Sequence, residues 1–302
     1  MLDDDLIDLF TILLLLVNYL TVKIRANFHS EYLMTVRKIQ QKKAIQDFSN
    51  AIKNSHIWFL LAWQDIQLRY RRSVIGPFWI TLSMSIMVYT MGFLYAHLWK
   101  VPVAEYFPYL ASGSLAWGLI SSIMIESTET YLFSAGLIKQ IKMPYLIHIH
   151  RMCARNFIIF AHNAFIMGPI YFLFHQQFTL NYSYLLLLPN IFLLYTVFIL
   201  FANIVSMICA RYRDLGQIVK SFVQVLFFLT PVMWKVDVLP SNIRLWVYLN
   251  PLYHFIELIR QPLIGGFASL ASYQMIIACL LIGLLLNRLL FVPYRARIVY
   301  WI

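Results

Sequence analysis

Long apolar runs without charged residues alternate with short polar segments along most of this chain. Each run has roughly 18 to 25 residues, enough for a helix to cross a hydrocarbon core of about 30 Å. Because apolar residues within a run are continuous, the pattern predicts helices and argues against a barrel. The expected fold class is an all-α integral membrane protein with six transmembrane helices, at about 78–99, 107–125, 157–174, 184–210, 221–234 and 270–291.

The chain before the first of these spans divides into two parts. Residues 1–33 form an apolar extension whose run at 6–22 is at the short limit for a span. It has three interpretations: a span, a helix lying in the membrane interface, or a segment dispensable to the core. Residues 34–74 form a cytoplasmic segment, and residues 75–302 form the six-span domain.

Within the cytoplasmic segment, residues 45–59 predict an amphipathic helix. Four apolar side chains recur at spacings of three, four and seven and share one helical face: Ile45, Phe48, Ile52 and Phe59. Trp58 and Trp63 favour a helix in the membrane interface over the alternative, a solvated linker helix.

Two further segments are too polar or too interrupted to span. Residues 133–156 carry lysines and arginines, and their apolar positions suggest one short amphipathic helix that ends at Pro144. Residues 235–266 mix charges of both signs with three prolines. We expect two short helices there, split near Asn250 and Pro251, that dip into the outer leaflet as re-entrant helices.

The distribution of basic residues predicts the orientation. With the cluster around Arg69 on the cytoplasmic side, only four of the 24 lysines and arginines fall outside: Lys100, Lys235, Arg244 and Arg260. Such a bias follows the positive-inside rule and places the C-terminus in the cytoplasm.

Composition narrows the class of protein. With 61% hydrophobic and 12% charged residues, the chain is too apolar for a soluble domain of this size. The net charge of +11 is spread between apolar runs and not over a separate polar domain, which argues against nucleic acid as a partner. The chain has no Gly-rich phosphate loop, so we expect no cofactor on it and any ATP on another chain.

Several polar residues could carry chemistry, and each has a simpler interpretation. Glu126 and Glu129 suggest acid/base or proton relay chemistry, but they more simply offset Lys139 and Lys142. His148 and His150 lack an acidic partner nearby in the sequence, so we expect surface residues and no metal site. The three cysteines lie at no metal-ligand spacing.

Polar residues inside the third predicted span should face protein or a cavity. His162 and Asn163 lie within an otherwise apolar run, where a polar side chain exposed to lipid would be costly. Both are expected to point inward.

A series of short motifs resembles one family. The pattern Trp63-x-Asp65-x3-Arg69-Tyr70-x2-Ser73-x-Ile75-Gly76-Pro77-x-Trp79 is similar to the start of the first span in membrane subunits of type-2 ABC exporters of cell-surface polysaccharides, such as O-antigen, capsule and teichoic acid. Further matches follow in the order of the family: Lys142-x-Pro144, Arg213-Asp214-Leu215, Thr230-Pro231, Asn250-Pro251, Arg260-Gln261-Pro262-Leu263-x-Gly265 and Arg297-Ile298-x-Tyr300-Trp301.

The resemblance implies a homodimeric permease in the bacterial inner membrane, with two ATP-binding-cassette subunits on its cytoplasmic face that bind ATP and Mg. It implies an interface helix at 45–59, a coupling helix at 133–145 that docks on the ATPase, and a gate of re-entrant helices at 243–265. The substrate would be a lipid-linked glycan, and the chain itself would be a transport subunit and not an enzyme.

Site residues follow from the resemblance together with side-chain chemistry. At the inner mouth, Arg69, Arg71 and Arg72 would attract lipid-linked phosphates, since guanidinium groups bind phosphate through paired donors. The alternative is that they only set topology and bind anionic headgroups. The coupling residues would be Leu137, Ile138, Lys139, Ile141, Lys142 and Met143.

Aromatic residues near the outer side are candidates for contacts with sugar rings. The gate would use Trp246, Tyr248, Tyr253 and Phe255. The channel would use Trp99, Tyr106, Tyr109 and Trp117. For the channel set, the ordinary aromatic belt at a membrane interface is the simpler explanation.

Two rival functions differ from glycan export. One is a type-2 exporter of a drug, haem or another small lipophile, against which the aromatic surplus argues. The other is a membrane-embedded glycosyl- or acyltransferase that uses Glu126, Glu129 or His162. These three residues form no nucleophile, base and orienting set in the sequence, which argues against the enzyme.

Overall fold

The computed structural model describes residues 38–71, 73, 75–76, 78–175 and 181–302. The chain divides into two compact units, Met1–Gln46 and Asp47–Ile302. In the first unit, the described residues 38–46 are helical. The predicted extension at 1–33 lies outside the described residues.

All regular elements among the described residues are helical. Five helical stretches are long and apolar enough to cross a membrane: Phe78–Leu98, Val103–Ser127, Leu146–Leu173, Tyr182–Arg211 and Leu270–Trp301. They match five of the six predicted spans. The chain is therefore a multi-pass membrane protein.

The remaining predicted span, at 221–234, corresponds to a shorter helix. Helix α10, Asp214–Leu229, has 16 residues, which corresponds to a length of about 24 Å. It begins seven residues before the predicted start and ends two residues before Pro231, which cannot donate a backbone hydrogen bond.

The segment before the first span forms two helices in the second unit. Helix α1 occupies residues 47–53 and helix α2 is Ser55–Arg69. They are separated at Asn54, whose side-chain amide donates to the carbonyl of Asn50 at 2.8 Å. Ile52 and Phe59, from the predicted apolar face, are exposed.

Among the five candidate spans, those that contain α4, Val103–Ser127, and α9, Leu187–Arg211, are the most buried, whereas α3, Phe78–Leu98, is mostly exposed. Buried polar groups on α9 are paired. Asn203 donates to Asn287 at 2.6 Å and accepts from the hydroxyl of Tyr131. Such pairs satisfy polar side chains away from water.

The third span differs from its predicted limits. Helix α7, Leu146–Asn163, begins eleven residues before the predicted start and includes Arg151 and Arg155. The sequence suggested that this part was too charged to join a span. The prediction was wrong because both arginines are paired with carboxylates from other helices, as described below.

Past Asn163, the third span continues with a local break. A 3₁₀ turn, Ala164–Ile166, separates α7 from α8, Met167–Leu173. Pro169 removes the donor that would bond the carbonyl of Phe165, which accounts for the tightened turn.

The prediction for His162 and Asn163 is confirmed. The hydroxyl of Thr81, on α3, lies 2.7 Å from Nδ1 of His162 and donates to Oδ1 of Asn163 at 3.2 Å. Both side chains therefore face a neighbouring helix.

The segment between the second and third spans contains two short helices, α5, Thr130–Phe133, and α6, Ala135–Gln140. The sequence predicted one short helix ending at Pro144, and α6 confirms a short helix there but stops earlier. Its end comes at Gln140, where Ile141 adopts an extended conformation before Pro144.

The predicted split near Asn250 is also confirmed. Helix α11 is Ser241–Tyr248 and helix α12 is Pro251–Leu263. The side chain of Asn250 caps α12 by accepting from the backbone amide of Leu252 at 3.0 Å. His254 joins the pair to the next helix, since its ring nitrogens lie 2.8 Å from the carbonyl of Tyr248 and 2.9 Å from the hydroxyl of Ser272.

The last span is longer than predicted. Helix α13, Leu270–Leu286, continues through a π turn, Asn287–Phe291, into α14, Val292–Tyr294. A 3₁₀ turn, Arg295–Arg297, then leads into α15, Ile298–Trp301. The residues after 291, expected as a tail, are helical. α15 packs against α9 and α6.

Candidate transport site

A cluster of arginines and carboxylates joins α2, α4 and α7, and we refer to Asp65, Glu126, Arg151 and Arg155 as the arginine–carboxylate cluster. Arg151 donates to both oxygens of Asp65, at 2.8 Å from Nε and 2.5 Å from Nη2. Arg155 donates to Asp65 at 2.8 Å and to Glu126 at 2.6 Å. Two arginines one helical turn apart thus bridge two carboxylates on different helices.

The cluster is largely shielded from solvent. The side chains of Asp65, Arg155 and Arg151 are only 10, 13 and 17% exposed. Asn156 adds a further hydrogen bond to Glu126, at 2.6 Å. Charged hydrogen bonds in such surroundings are stronger than those in water, so the cluster fixes α2 to the start of α7.

The surroundings of Asp65 keep it ionised. Burial opposes the charged form, but the hydrogen bonds and positive charges of Arg151 and Arg155 outweigh it and lower the pKa of Asp65. The carboxylate is therefore charged at neutral pH.

The three arginines expected at the inner mouth have different positions. Arg69 ends α2, is half exposed and lies 3.7 Å from Glu126, so it extends the cluster. Arg71 is exposed. Arg72 lies outside the described residues.

A cavity of about 210 Å³ lies beside the cluster. Its lining combines Arg69, Arg151 and Arg155 with the carboxylates Glu126 and Glu129. Both signs of charge are thus present, and the cavity is not a purely cationic pocket.

Glu126 and Glu129 do not pair with Lys139 and Lys142, the partners expected from the sequence. Glu126 pairs with arginines of α2 and α7, and Glu129 pairs with Lys220 of α10. Lys139 donates instead to the backbone carbonyl of Ile302, at 2.7 Å. The lysines close in sequence were the wrong choice because α6 carries Lys139 toward α15.

The predicted coupling residues form an exposed strip on and after α6. Lys139, Ile141 and Lys142 are exposed, while Leu137, Ile138 and Met143 are half-buried. Phe133, just before α6, is 75% exposed. The strip thus offers apolar and basic side chains together.

The histidines expected at the surface are buried, so this prediction was wrong. His150 lies against Trp58, with ring centroids 5.2 Å apart, and its Nδ1 is 2.9 Å from the hydroxyl of Tyr195. His148 is also buried. Both lie on α7, whose extension was missed in the sequence.

A second polar site lies where α10 ends. The carbonyls of Pro231, Val232, Met233 and Trp234, which we call the carbonyl row, all accept hydrogen bonds from side chains. Tyr106 donates to Met233 at 2.8 Å. Tyr109 donates to Trp234 at 2.8 Å and, more weakly, to Pro231 at 3.4 Å.

Arg260 completes the contacts of the carbonyl row. Its Nη2 donates to Pro231 at 2.8 Å and to Val232 at 2.9 Å. The side chain is fully buried, pairs with Glu257 at 3.2 Å and lies 3.9 Å from the centre of the Tyr109 ring. A buried arginine so surrounded is held in one position.

The predicted gate and channel aromatics do not share one surface of the single chain. Trp246 is 74% exposed and Tyr248 is exposed, Tyr253 is half-buried, and Phe255 is buried against Phe198. In the channel set, Trp99 is exposed, Tyr109 is half-buried, and Tyr106 and Trp117 are buried.

Sequence reasoning missed the roles of Asp65 and Arg260. Asp65 could have been singled out in the sequence, because it is the only carboxylate between Lys53 and Arg69. Arg260 could also have been singled out, since it follows Glu257 by three residues in an apolar segment. Their distant partners were not predictable from spacing.

Comparisons with known proteins show which family the chain resembles. A family model described as ABC-2 type transporter matches residues 56–264. Two curated relatives from Klebsiella pneumoniae are both named O-antigen export system permease protein RfbA. One is 22% identical over 213 residues, covering 67% of this chain and 78% of the relative. The other is 22% identical over 234 residues, covering 74% and 85%.

Proposed function

Because this chain belongs to the ABC-2 type transporter family, we propose that it is the transmembrane subunit of an ATP-driven exporter of a lipid-linked polysaccharide. The glycan, an O-antigen or a capsule-like polymer, would move from the cytoplasmic to the outer side of the bacterial inner membrane. The observation that carries the proposal is the similarity to two O-antigen export permeases over more than two thirds of their length.

The physical problem is to move a long hydrophilic chain across a layer in which stripping polar groups of water is costly. We propose that two copies of this chain enclose a wet channel. The exposed polar side chains of α10 support this: Gln217, Ser221 and Gln224 recur at spacings of four and three and so share one face of a mostly apolar helix. Such a face needs water or a polar partner.

We propose six spans, with α10 as the fifth and α11 and α12 as re-entrant gate helices. The helix α10 alone is short for a hydrocarbon core of about 30 Å. The carbonyl row supports the re-entrant arrangement, because irregular backbone at membrane depth is tolerated only where its polar groups are satisfied by protein or water. α1 and α2 would be the interface helices, with Ile52 and Phe59 toward lipid.

ATP and Mg would bind to two separate ATP-binding-cassette subunits. The exposed strip at α6 supports a docking role, because Phe133 and Ile141 present apolar area beside Lys139 and Lys142. Closure of the ATPase on nucleotide would move this strip and, through it, the attached helices.

At the inner mouth, Arg69, Arg71 and Arg72 would attract the phosphates of the carrier lipid. Arg69 is the best placed of the described residues, since its 3.7 Å contact with Glu126 is the longest in its cluster and its side chain is 46% exposed. A phosphate could therefore compete for it with little loss.

Deletion of the gene tests the proposal. We expect lipid-linked glycan to accumulate inside the cell, and export to return when the wild-type chain is supplied on a plasmid. Glycan is followed by surface labelling and by extraction of the lipid-linked fraction. Loss of glycan synthesis would instead indicate an enzyme, and unchanged surface glycan with a changed efflux of small lipophiles would indicate the other type of exporter.

A further inference from the structure

The carbonyl row is held from two sides by side chains that do not belong to α10. Tyr106 and Tyr109 reach it from α4, and Arg260 reaches it from α12. All four carbonyls, from Pro231 to Trp234, accept at least one of these bonds. The connection after α10 is therefore fixed to two other elements by hydrogen bonds.

A hollow in α4 accommodates the guanidinium of Arg260. A Cβ atom at Gly113 would lie 2.1 Å from Nη2 of Arg260 and 2.6 Å from the carbonyl oxygen of Val232. Any larger residue would displace the arginine or the backbone. Gly113 thus allows α4, the carbonyl row and α12 to meet at one point.

The contacts at this point differ from the rest of the packing between these helices. They are directional bonds to a charged group, and the charge is matched by Glu257, which also accepts from Gln261 at 2.7 Å. Such bonds have two defined states, made and broken, because a charged group left unpaired in apolar surroundings is costly.

We propose that Arg260, with Tyr106 and Tyr109, forms a latch that closes the permease by holding the carbonyl row against α4. Arg260 is a positioning residue in this latch, and release of its bonds frees the connection between α10 and the helix pair α11 and α12. This inference rests on the proposed function, in which that helix pair gates the outer exit.

A leak measurement on the full-length chain, purified with its ATP-binding subunits, tests the latch. The complex is placed in vesicles of phosphatidylethanolamine and phosphatidylglycerol loaded with labelled sucrose, without ATP. The double variant Glu257→Gln, Arg260→Met removes both charges together. We expect sucrose to escape about tenfold faster than from wild-type vesicles, which corresponds to about 1.4 kcal/mol in the equilibrium between open and closed gate.

Arg244→Met provides a matched control. Arg244 also donates to two backbone carbonyls, those of Leu239 and Asp237, at 2.8 Å each, but these lie next to its own helix α11 and not across elements. Its loss should leave leakage at the wild-type rate, so a rise specific to the Arg260 variant reports the latch.

A second variant keeps the test decisive if the first does not assemble. Tyr106→Phe with Tyr109→Phe retains both rings and removes only the hydroxyls that donate to the carbonyl row, and increased leakage is again expected. Leakage at the wild-type rate in an assembled variant would overturn the latch. Because sucrose is not the cargo, a failure of glycan export would contradict the proposed function and leave this result intact.

Discussion

At the scale of single residues, four charged groups of this membrane protein are matched across helices. Arg151 and Arg155 of α7 are paired with Asp65 of α2 and Glu126 of α4, and all four lie at one meeting point. Removing one partner from a shielded pair leaves the other charge uncompensated, which costs more than the pair itself contributes. Loss of either carboxylate of the cluster should therefore destabilise the protein.

Asp65→Asn should destabilise the protein. We expect a loss of about 3 kcal/mol, the lower end for a broken buried pair, since the side chains keep 10 to 17% exposure. Unfolding of the detergent-solubilised chain by heat measures it. Glu129→Gln is the control, because the pair with Lys220 is more exposed and should contribute less than about 1 kcal/mol. Equal losses in both variants would contradict a special role for Asp65.

The same carboxylate predicts how stability depends on pH. The pKa of Asp65 is lower in the folded protein than in the unfolded chain, so its contribution to stability is fully present above the unfolded value of about 3.9. It is lost as pH falls through the lower folded value. Between pH 7 and 5 the difference between wild type and Asp65→Asn should stay constant, and melting curves across that range check it.

At the scale of elements, close helix packing depends on small residues at particular positions. Gly283 of α13 faces α9, and a Cβ atom there would lie 3.1 Å from Cβ of Leu200. Gly136 of α6 has no atom within 4 Å of the corresponding position. The same residue type thus has a packing role in one helix and none in the other.

Gly283→Leu should force α9 and α13 apart. We expect a cost of roughly 1 to 3 kcal/mol, as for other overpacked cores. Gly136→Leu should be neutral or slightly stabilising, because leucine favours a helix more than glycine does. Thermal unfolding of both variants in one detergent gives the comparison, and a Gly283 variant as stable as the Gly136 variant would show that the helices can yield.

At the scale of the whole molecule, the surface of one copy exposes both apolar and polar residues on its helices. α3 is mostly exposed, and α10 combines exposed apolar residues with exposed glutamines. Exposed apolar residues are compatible with lipid, but exposed glutamines need water or a polar partner. The proposed assembly of two copies around a wet channel would account for both, and the distribution of basic residues predicts the orientation of each copy.

Reporter fusions test that orientation. An enzyme active only in the cytoplasm should be active when fused after Ile302 and silent when inserted near Ser241, since six spans place these positions on opposite sides. A periplasmic reporter at the same two sites should show the reverse. Activity of the cytoplasmic reporter at both sites would remove the six-span topology, because an even number of spans would then separate Ser241 from Ile302.

The order and kind of elements were largely predictable from the sequence. Continuous apolar runs fixed five spans, Asn250 and Pro251 marked the break between α11 and α12, and the residues before Pro144 gave α6. These are local properties, because hydrophobic length and proline geometry act over a few residues. The predicted start of α7 was wrong because it depends on long-range contacts. Whether Arg151 and Arg155 can lie in a long helix depends on carboxylates 29 to 90 positions away.

Only the tertiary structure decided which polar groups meet. The sequence determined that this is a helical membrane protein and supplied the charge distribution from which its orientation is predicted. It did not determine that Asp65 joins α7, or that Tyr106, Tyr109 and Arg260 hold the carbonyl row. Hydrogen bonds and ion pairs form between groups brought within about 3 Å. That distance is set by the packing of helices that are far apart in the chain. Local sequence patterns do not predict this packing.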